Sequence, residues 1–152
     1  MRIEIRRHGQ SKSSVLKAEM VEANTMAVQW SGKEIQKRAK LLCPTNKDPD
    51  ADNPGTLKNS ITERTEVEGD AATSYTGTNV DYGPYVELGT GQRGYMSAGD
   101  KAPDIAEYRA DWQGMPAQPY LYPAIKSLQN TIRAKFTERL RRAIKKLQGD
   151  AT

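Results

Sequence analysis

Between Gly77 and Gly91 the chain reads Gly-Thr-Asn-Val-Asp-Tyr-Gly-Pro-Tyr-Val-Glu-Leu-Gly-Thr-Gly, and no long helix or strand can pass through it. Polar, strand-like residues lead in, and Asp81 with Gly83-Pro84 break the extended run. Pro84 fixes φ for the first position of a helical turn, and Gly89 suits a left-handed close. Pro84 to Leu88 is therefore expected to form about one turn. Tyr82, Tyr85, Val86 and Leu88 load that turn with so much apolar surface that it must dock, on its own sheet or on another subunit. Gly89-x-Gly91-x-x-Gly94 also matches the dinucleotide fingerprint. That motif works only where a buried strand ends in the glycines and a helix starts from them. A proline-containing turn precedes it here and Tyr95 to Pro103 follow, so neither flank fits and the glycines read as a hinge or loop.

Composition narrows the rest. With 152 residues the chain reads as one domain, 1–152. Hydrophobic residues make up 36% and mean hydropathy is −0.78, so the core is expected to be small, with some apolar surface covered in an assembly. Cys43 alone permits no intramolecular disulfide, and with the single His8 it leaves no Cys/His zinc set. Asp48, Asp50 and Asp52 resemble a calcium loop, but Pro49 interrupts it and no glutamate closes it, so no metal is expected. Met1 to Gln10 alternates instead of running apolar, and no stretch is long enough to span a bilayer. The expectation is a protein without a membrane partner, made in the cytoplasm.

Met1, Ile3 and Ile5 alternate with charged residues and predict a strand. From Ser13 or Ser14 to Leu42 the pattern turns helical, with Leu16, Met20, Ala23, Ala27 and Trp30, then Ile35, Ala39 and Leu42, on one stripe. A one-residue slip at Ser31-Gly32 predicts a kink or break, and Cys43-Pro44 ends the helix. Ile61 to Glu68 and Ala71 to Val80 flank the turn residues Gly69-Asp70 as a hairpin, with Tyr75 and Val80 among its anchors. Gln92 to Gln118 carries no period, so 91–114 is expected to be a flexible loop or one ordered by a partner. Gln118 to Pro123 is an extended aromatic lead-in. Ile125, Leu128, Ile132, Phe136, Leu140, Ile144 and Leu147 then form a helical stripe. Arg133, Lys135, Arg139, Arg141, Arg142, Lys145 and Lys146 are expected on the opposite face. The fold class is α+β: a small antiparallel sheet packed by a long N-terminal helix and a C-terminal amphipathic helix, with a long loop between.

Three blocks carry a resemblance: Asn59-Ser60-Ile61 after Gly-Thr-Leu; the Gly77 to Gly91 stretch; and Met115-Pro-Ala-Gln-Pro-Tyr-Leu-Tyr-Pro-Ala124 before the last helix. In this order they resemble the small neck and tail-component family of Hong Kong-type lambdoid phages, over most of the chain from about Leu42. An acidic insertion between Pro44 and Gly55 departs from that family's compact approach to the first strand. The resemblance implies a non-enzymatic virion component that joins head to tail or completes the tail at the neck. It implies a homo-oligomeric ring around the DNA channel, a hexamer being one candidate. The neighbours would be head-connector and tail-terminator or tail-tube proteins. Tyr82, Pro84, Tyr85, Glu87, Leu88, Gly89, Gly91, Tyr120 and Tyr122 are the expected interface.

Two other classes compete with this one. Arg133, Lys135, Arg139, Arg142 and Lys146 would suit a nucleic-acid-binding module or an acidic partner. An enzyme would need a constellation, and Asp81, Glu87, His8 and Cys43 show no recognised spacing. No catalytic residue and no cofactor is expected.

Overall fold

The computed structural model describes residues 12–45, 54–98 and 108–149. In chain order the elements are α1 (Lys12–Leu42), α2 (Thr56–Ser60), β1 (Thr62–Glu68), β2 (Ala71–Gly77), α3 (Gly83–Leu88), α4 (Gly91–Ala98) and α5 (Leu121–Gly149). This is the α+β arrangement expected, with the hairpin and α5 both packed on α1. The strand predicted at Met1 to Ile5 and the Asp48–Asp52 segment lie outside the described residues.

α1 runs unbroken through Gly32, so the alternative of a break into two helices is corrected. Ala27, Ser31, Ala39 and Cys43 are buried at multiples of four residues, one continuous line along the helix. The slip in the stripe, from Trp30 to Ile35, arises because the polar Ser31 takes the buried position between Ala27 and Ile35. It is buried, and its hydroxyl satisfies itself by donating to the Ala27 carbonyl at 2.7 Å. Gly32 serves close approach instead: a Cβ there would stand 1.9 Å from Ser74 Oγ and 2.8 Å from Glu63 Cγ.

β1 and β2 pair antiparallel from Thr62↔Gly77 to Glu68↔Ala71, around Gly69 at φ 58°. The second strand thus stops at Gly77, short of Val80. Glu63, Thr65, Ser74 and Thr76 occupy the half-buried face toward α1. A sheet face this polar needs internal partners. The Glu63 carboxylate accepts from the Ser74 hydroxyl at 2.9 Å and from Thr65, while Thr76 donates to the Gly32 carbonyl at 3.3 Å. Tyr75 is not the anchor expected: it lies outward, half exposed, with the Arg64 guanidinium 5.8 Å from its ring centre.

α5 runs antiparallel to α1. Its first turn meets the end of α1 in the core, and Lys146 Nζ reaches Glu19 at 2.7 Å near the other end. The core joins Ala39, Cys43, Leu57, Ile61, Tyr120 and Ala124, with Val80, Val86 and Leu121 packed against it. Among the described residues, Tyr120 and Ile61 are the large side chains that are fully buried. Each such side chain contributes roughly 1.5–3 kcal/mol, so this end holds the most deeply buried apolar groups. Burial pushes the Cys43 thiol above its ordinary range, consistent with an inert packed residue.

Candidate functional site

The turn that dominates the sequence is clamped to α5 by one carboxylate. Helix N-termini leave N–H groups without intrahelical partners. In α5 the backbone N–H groups of Tyr120 and Leu121 donate to Glu87 Oε2 at 2.6 and 2.9 Å, and that of Tyr122 donates to Glu87 Oε1 at 2.8 Å. A carboxylate on a helix N-terminus also meets the favourable end of the helix dipole. Glu87, expected at an interface, is therefore an internal clamp. Tyr120, also expected there, is fully buried within the chain, and its hydroxyl has no hydrogen-bond partner among the described residues. Burial first, then the charges of Glu87, Cys43 and Tyr82, push its phenol up to about 12.

The described parts of the expected 91–114 loop hold ordered contacts. α4 occupies Gly91–Ala98, and 108–119 is an irregular strap laced onto α3 and α4. Thr90 N–H donates to the Met115 carbonyl at 2.9 Å, and Gln118 N–H to the Val86 carbonyl at 2.8 Å. Tyr108 donates its hydroxyl to the Leu88 carbonyl at 2.9 Å and meets Tyr95 edge-to-face at 6.0 Å. Residues 108–112 form no helix, only a turn at Ala110-Asp111.

Such close backbone contact explains the glycines. Gly89 has φ 72° with ψ −175°, so it takes a positive φ as expected but in the extended, glycine-only region. A Cβ on Gly89 would lie 2.6 Å from Ala117 N, one on Gly91 2.4 Å from the Trp112 carbonyl oxygen, and one on Gly114 1.8 Å from the Thr90 carbonyl oxygen. Gly89 and Gly91 are thus buried packing positions, not contact residues, and Leu88 is half-buried beside them. A helix does start at Gly91, contrary to the sequence reading of that flank, but α3 and not a strand precedes it. The N–H groups of Gln92 and Arg93, which a phosphate would use, donate to the Trp112 and Gln113 carbonyls, both at 2.9 Å.

On this laced frame stand aromatic and thioether side chains facing solvent. Tyr85 is 58%, Tyr95 71%, Met96 73% and Trp112 51% exposed, and Tyr82, Met115, Tyr122 and Ile125 are exposed with them. Pro84 is also exposed. Of the predicted interface, the structure leaves Tyr82, Pro84, Tyr85 and Tyr122 available. Sequence reasoning did not place Met96 on this surface, because α4 was not recognised as a helix.

The basic helix divides into two sides. Lys135 and Arg139 are half-buried on the seam with α1, not opposite the apolar stripe. Lys135 donates to Glu138 at 2.9 Å, Arg142 also pairs with Glu138, and Lys146 pairs with Glu19. The Lys135 hydrogen bond, then the Arg142 charge, hold the Glu138 carboxyl below its usual range. These residues line a groove of about 350 Å³ with Glu22, Ala23 and Met26 of α1. Of the predicted apolar stripe, Leu128, Ile132, Phe136 and Leu140 are half-buried toward the rest of the molecule, whereas Ile125 and Ile144 near its ends are exposed, and Ala124 and Ala143 are buried. Arg133, Arg141 and Lys145 are exposed and make no ion pair among the described residues.

Among the described residues no group of three His, Cys, Asp or Glu side chains is placed to hold a metal ion, and no helix is long and apolar enough to cross a membrane. Comparison with protein-family models, with curated proteins and with solved structures returns no match to this chain.

Proposed function

We propose that this protein is a structural component of a tailed-phage virion, acting at the neck to join head and tail or to complete the tail, as a ring of identical copies around the DNA channel. One observation carries the reading. The three blocks that resemble the neck and tail-component family are distant in sequence yet build one unit: Ile61 from the first, Val80, Val86 and Glu87 from the second, Tyr120, Leu121 and Ala124 from the third. Ser60 and Thr78 hydroxyls hydrogen-bond across the first two blocks. The unit spends its polar groups internally and turns its aromatics outward. That division suits a rigid docking platform, since exposed aromatics on a fixed backbone lose little entropy on binding.

The partners proposed are further copies of the chain, the head connector, and a tail-terminator or tail-tube protein. The test is a phage lacking this protein. It should accumulate separate heads and tails, or heads that lose DNA, and the purified protein added to such an extract should restore infectious particles. Normal joined particles made without it would sink the reading.

A second reading, a nucleic-acid-binding module, is favoured by the open Arg133, Arg141 and Lys145 side chains. It requires retention on duplex DNA that weakens steeply with salt.

A further inference from the structure

α1 lies between two unlike outer faces. Gly32 of α1 meets Glu63 and Ser74 of the hairpin, whereas Ala23 lines the groove with Lys135 and Arg139 of α5. These two α1 positions are nine residues apart. At about 100° per residue they point to opposite sides of the helix. The hairpin and α5 therefore pack on different sides of α1, and their outer faces are different surfaces. On the hairpin that face carries Glu66, Glu68 and the half-exposed Tyr75. Arg64 there is already engaged with Glu66 and the Tyr75 ring, and Glu68 makes no ion pair among the described residues. On α5 the outward ridge carries Arg133, Arg141 and Lys145, which no acid of the same chain neutralises among the described residues.

We infer that the outer hairpin face of one copy seats on the outer α5 ridge of the next copy, with Glu66 and Glu68 meeting Arg133, Arg141 and Lys145. This rests on the ring reading above and names its contact. The two faces are different surfaces of one molecule, so their union is heterologous and propagates head to tail, closing into a ring when the rotation permits. Charge complementarity fixes the register of such a contact and suppresses the wrong one. A DNA strand would satisfy the α5 ridge but would leave the acidic face and Tyr75 unused. The aromatic platform at the clamped end remains free for a different partner.

The test is the mass of the full chain in solution, by light scattering or sedimentation. The wild type should assemble at about 50 mM salt and dissociate toward about 0.5 M as screening grows. Arg133→Glu/Arg141→Glu/Lys145→Glu makes both faces acidic, and Glu66→Lys/Glu68→Lys makes both basic. Each variant alone should associate at least about tenfold more weakly than the wild type. An equimolar mixture of the two should regain the lost mass, because every contact is then complementary again. A monomeric wild type overturns the contact. So does a mixture that stays dissociated while each variant keeps the wild-type circular dichroism. Loss of salt-sensitive duplex DNA retention in the ridge variant, with no change in mass, also overturns it and assigns the ridge to DNA. Restoration of infectivity in the deficient extract tests the virion role separately: infectious particles without charge-swap rescue would remove the contact and leave the role standing.

Discussion

The two ends of the molecule are held together by different physics. At one, α2, α3, α4, the 108–119 strap and the start of α5 enclose Ile61 and Tyr120, with three N–H groups on Glu87 and glycines at backbone contact. At the other, the N-terminal half of α1, the hairpin turn and the later turns of α5 leave Leu16, Met20, Val67 and Ile144 exposed, and Leu16 and Met20 line a groove of about 440 Å³. That end is tied by the Lys17–Asp70 and Lys146–Glu19 ion pairs, and Lys17, Asp70 and Lys146 are themselves mostly exposed. Exposed ion pairs contribute about 0–1 kcal/mol each, whereas hydrogen bonds to a charged group contribute about 1.5–3 kcal/mol. Stability is thus concentrated in the clamped end, and the open end is where the chain can accept neighbours at low cost.

The clamp should be the most damaging point to break. Glu87→Ala leaves three N–H groups at the start of α5 without their acceptor. The expected loss is about 3 kcal/mol or more in urea unfolding, with Glu87→Gln losing roughly half of that because one amide oxygen still accepts. A loss under about 0.5 kcal/mol for the alanine variant would mean that the ends do not differ as argued.

Next comes a pair of glycines with similar φ and opposite surroundings. Gly114 (φ 64°) would put a Cβ 1.8 Å from the Thr90 carbonyl oxygen, while Gly69 (φ 58°) at the hairpin tip has nothing within 4 Å. Both alanine variants meet the backbone penalty of about 1 kcal/mol. Only Gly114→Ala must also push the strap off α4, so it should cost about 2 kcal/mol more. Equal losses would show that the strap is not packed as tightly as the clamp.

Tyr120 supplies a pH probe of the same end. Its phenol is raised from the ordinary 10 to about 12, so the unfolded chain releases that proton first. Stability is therefore retained below pH 10 and falls as pH rises toward 12, by roughly 2 kcal/mol for this group. Tyr120→Phe removes the unpartnered hydroxyl. It should match the wild type at pH 7 within about 1 kcal/mol and lose less on going to pH 12. Parallel pH curves would show that the hydroxyl is not buried in solution.

Much of this contrast was legible in the sequence, in its stripes and punctuation. The hairpin turn at Gly69-Asp70, the end of α1 at Cys43-Pro44 and the single turn after Pro84 follow from local chemistry that a few residues determine. What the sequence hid were long-range polar substitutions for apolar packing. Ser31 reads as a break in a stripe, yet it is buried because it satisfies itself. Glu87 reads as surface charge, but its partners are backbone groups more than thirty residues away, which no side-chain pattern reports. The α4–strap lattice was hidden for the same reason, since glycines at backbone contact look identical to glycines in a loop. Lys135 and Arg139 were misplaced because they neighbour the half-buried Ile132, Phe136 and Leu140 and so sit at the edge of the stripe on the α1 seam, not behind it.

The smallest effect is expected where the open end is tied. Lys17 and Asp70 have side chains 66% and 60% exposed, so their attraction is screened by water and salt and opposed by the entropy of holding both chains. Lys17→Ala and Asp70→Ala should each change unfolding stability by no more than about 0.5 kcal/mol, and less in high salt. The pair borders the groove formed by Leu16, Met20, Val21 and Leu140, so opening it should be felt by whatever covers that groove and not by the isolated fold. In a phage extract, then, Asp70→Ala should alter particle yield more than its unfolding curve suggests. A loss of several kcal/mol in the isolated chain would instead make the hairpin tip part of the core, and the two ends would no longer be distinct.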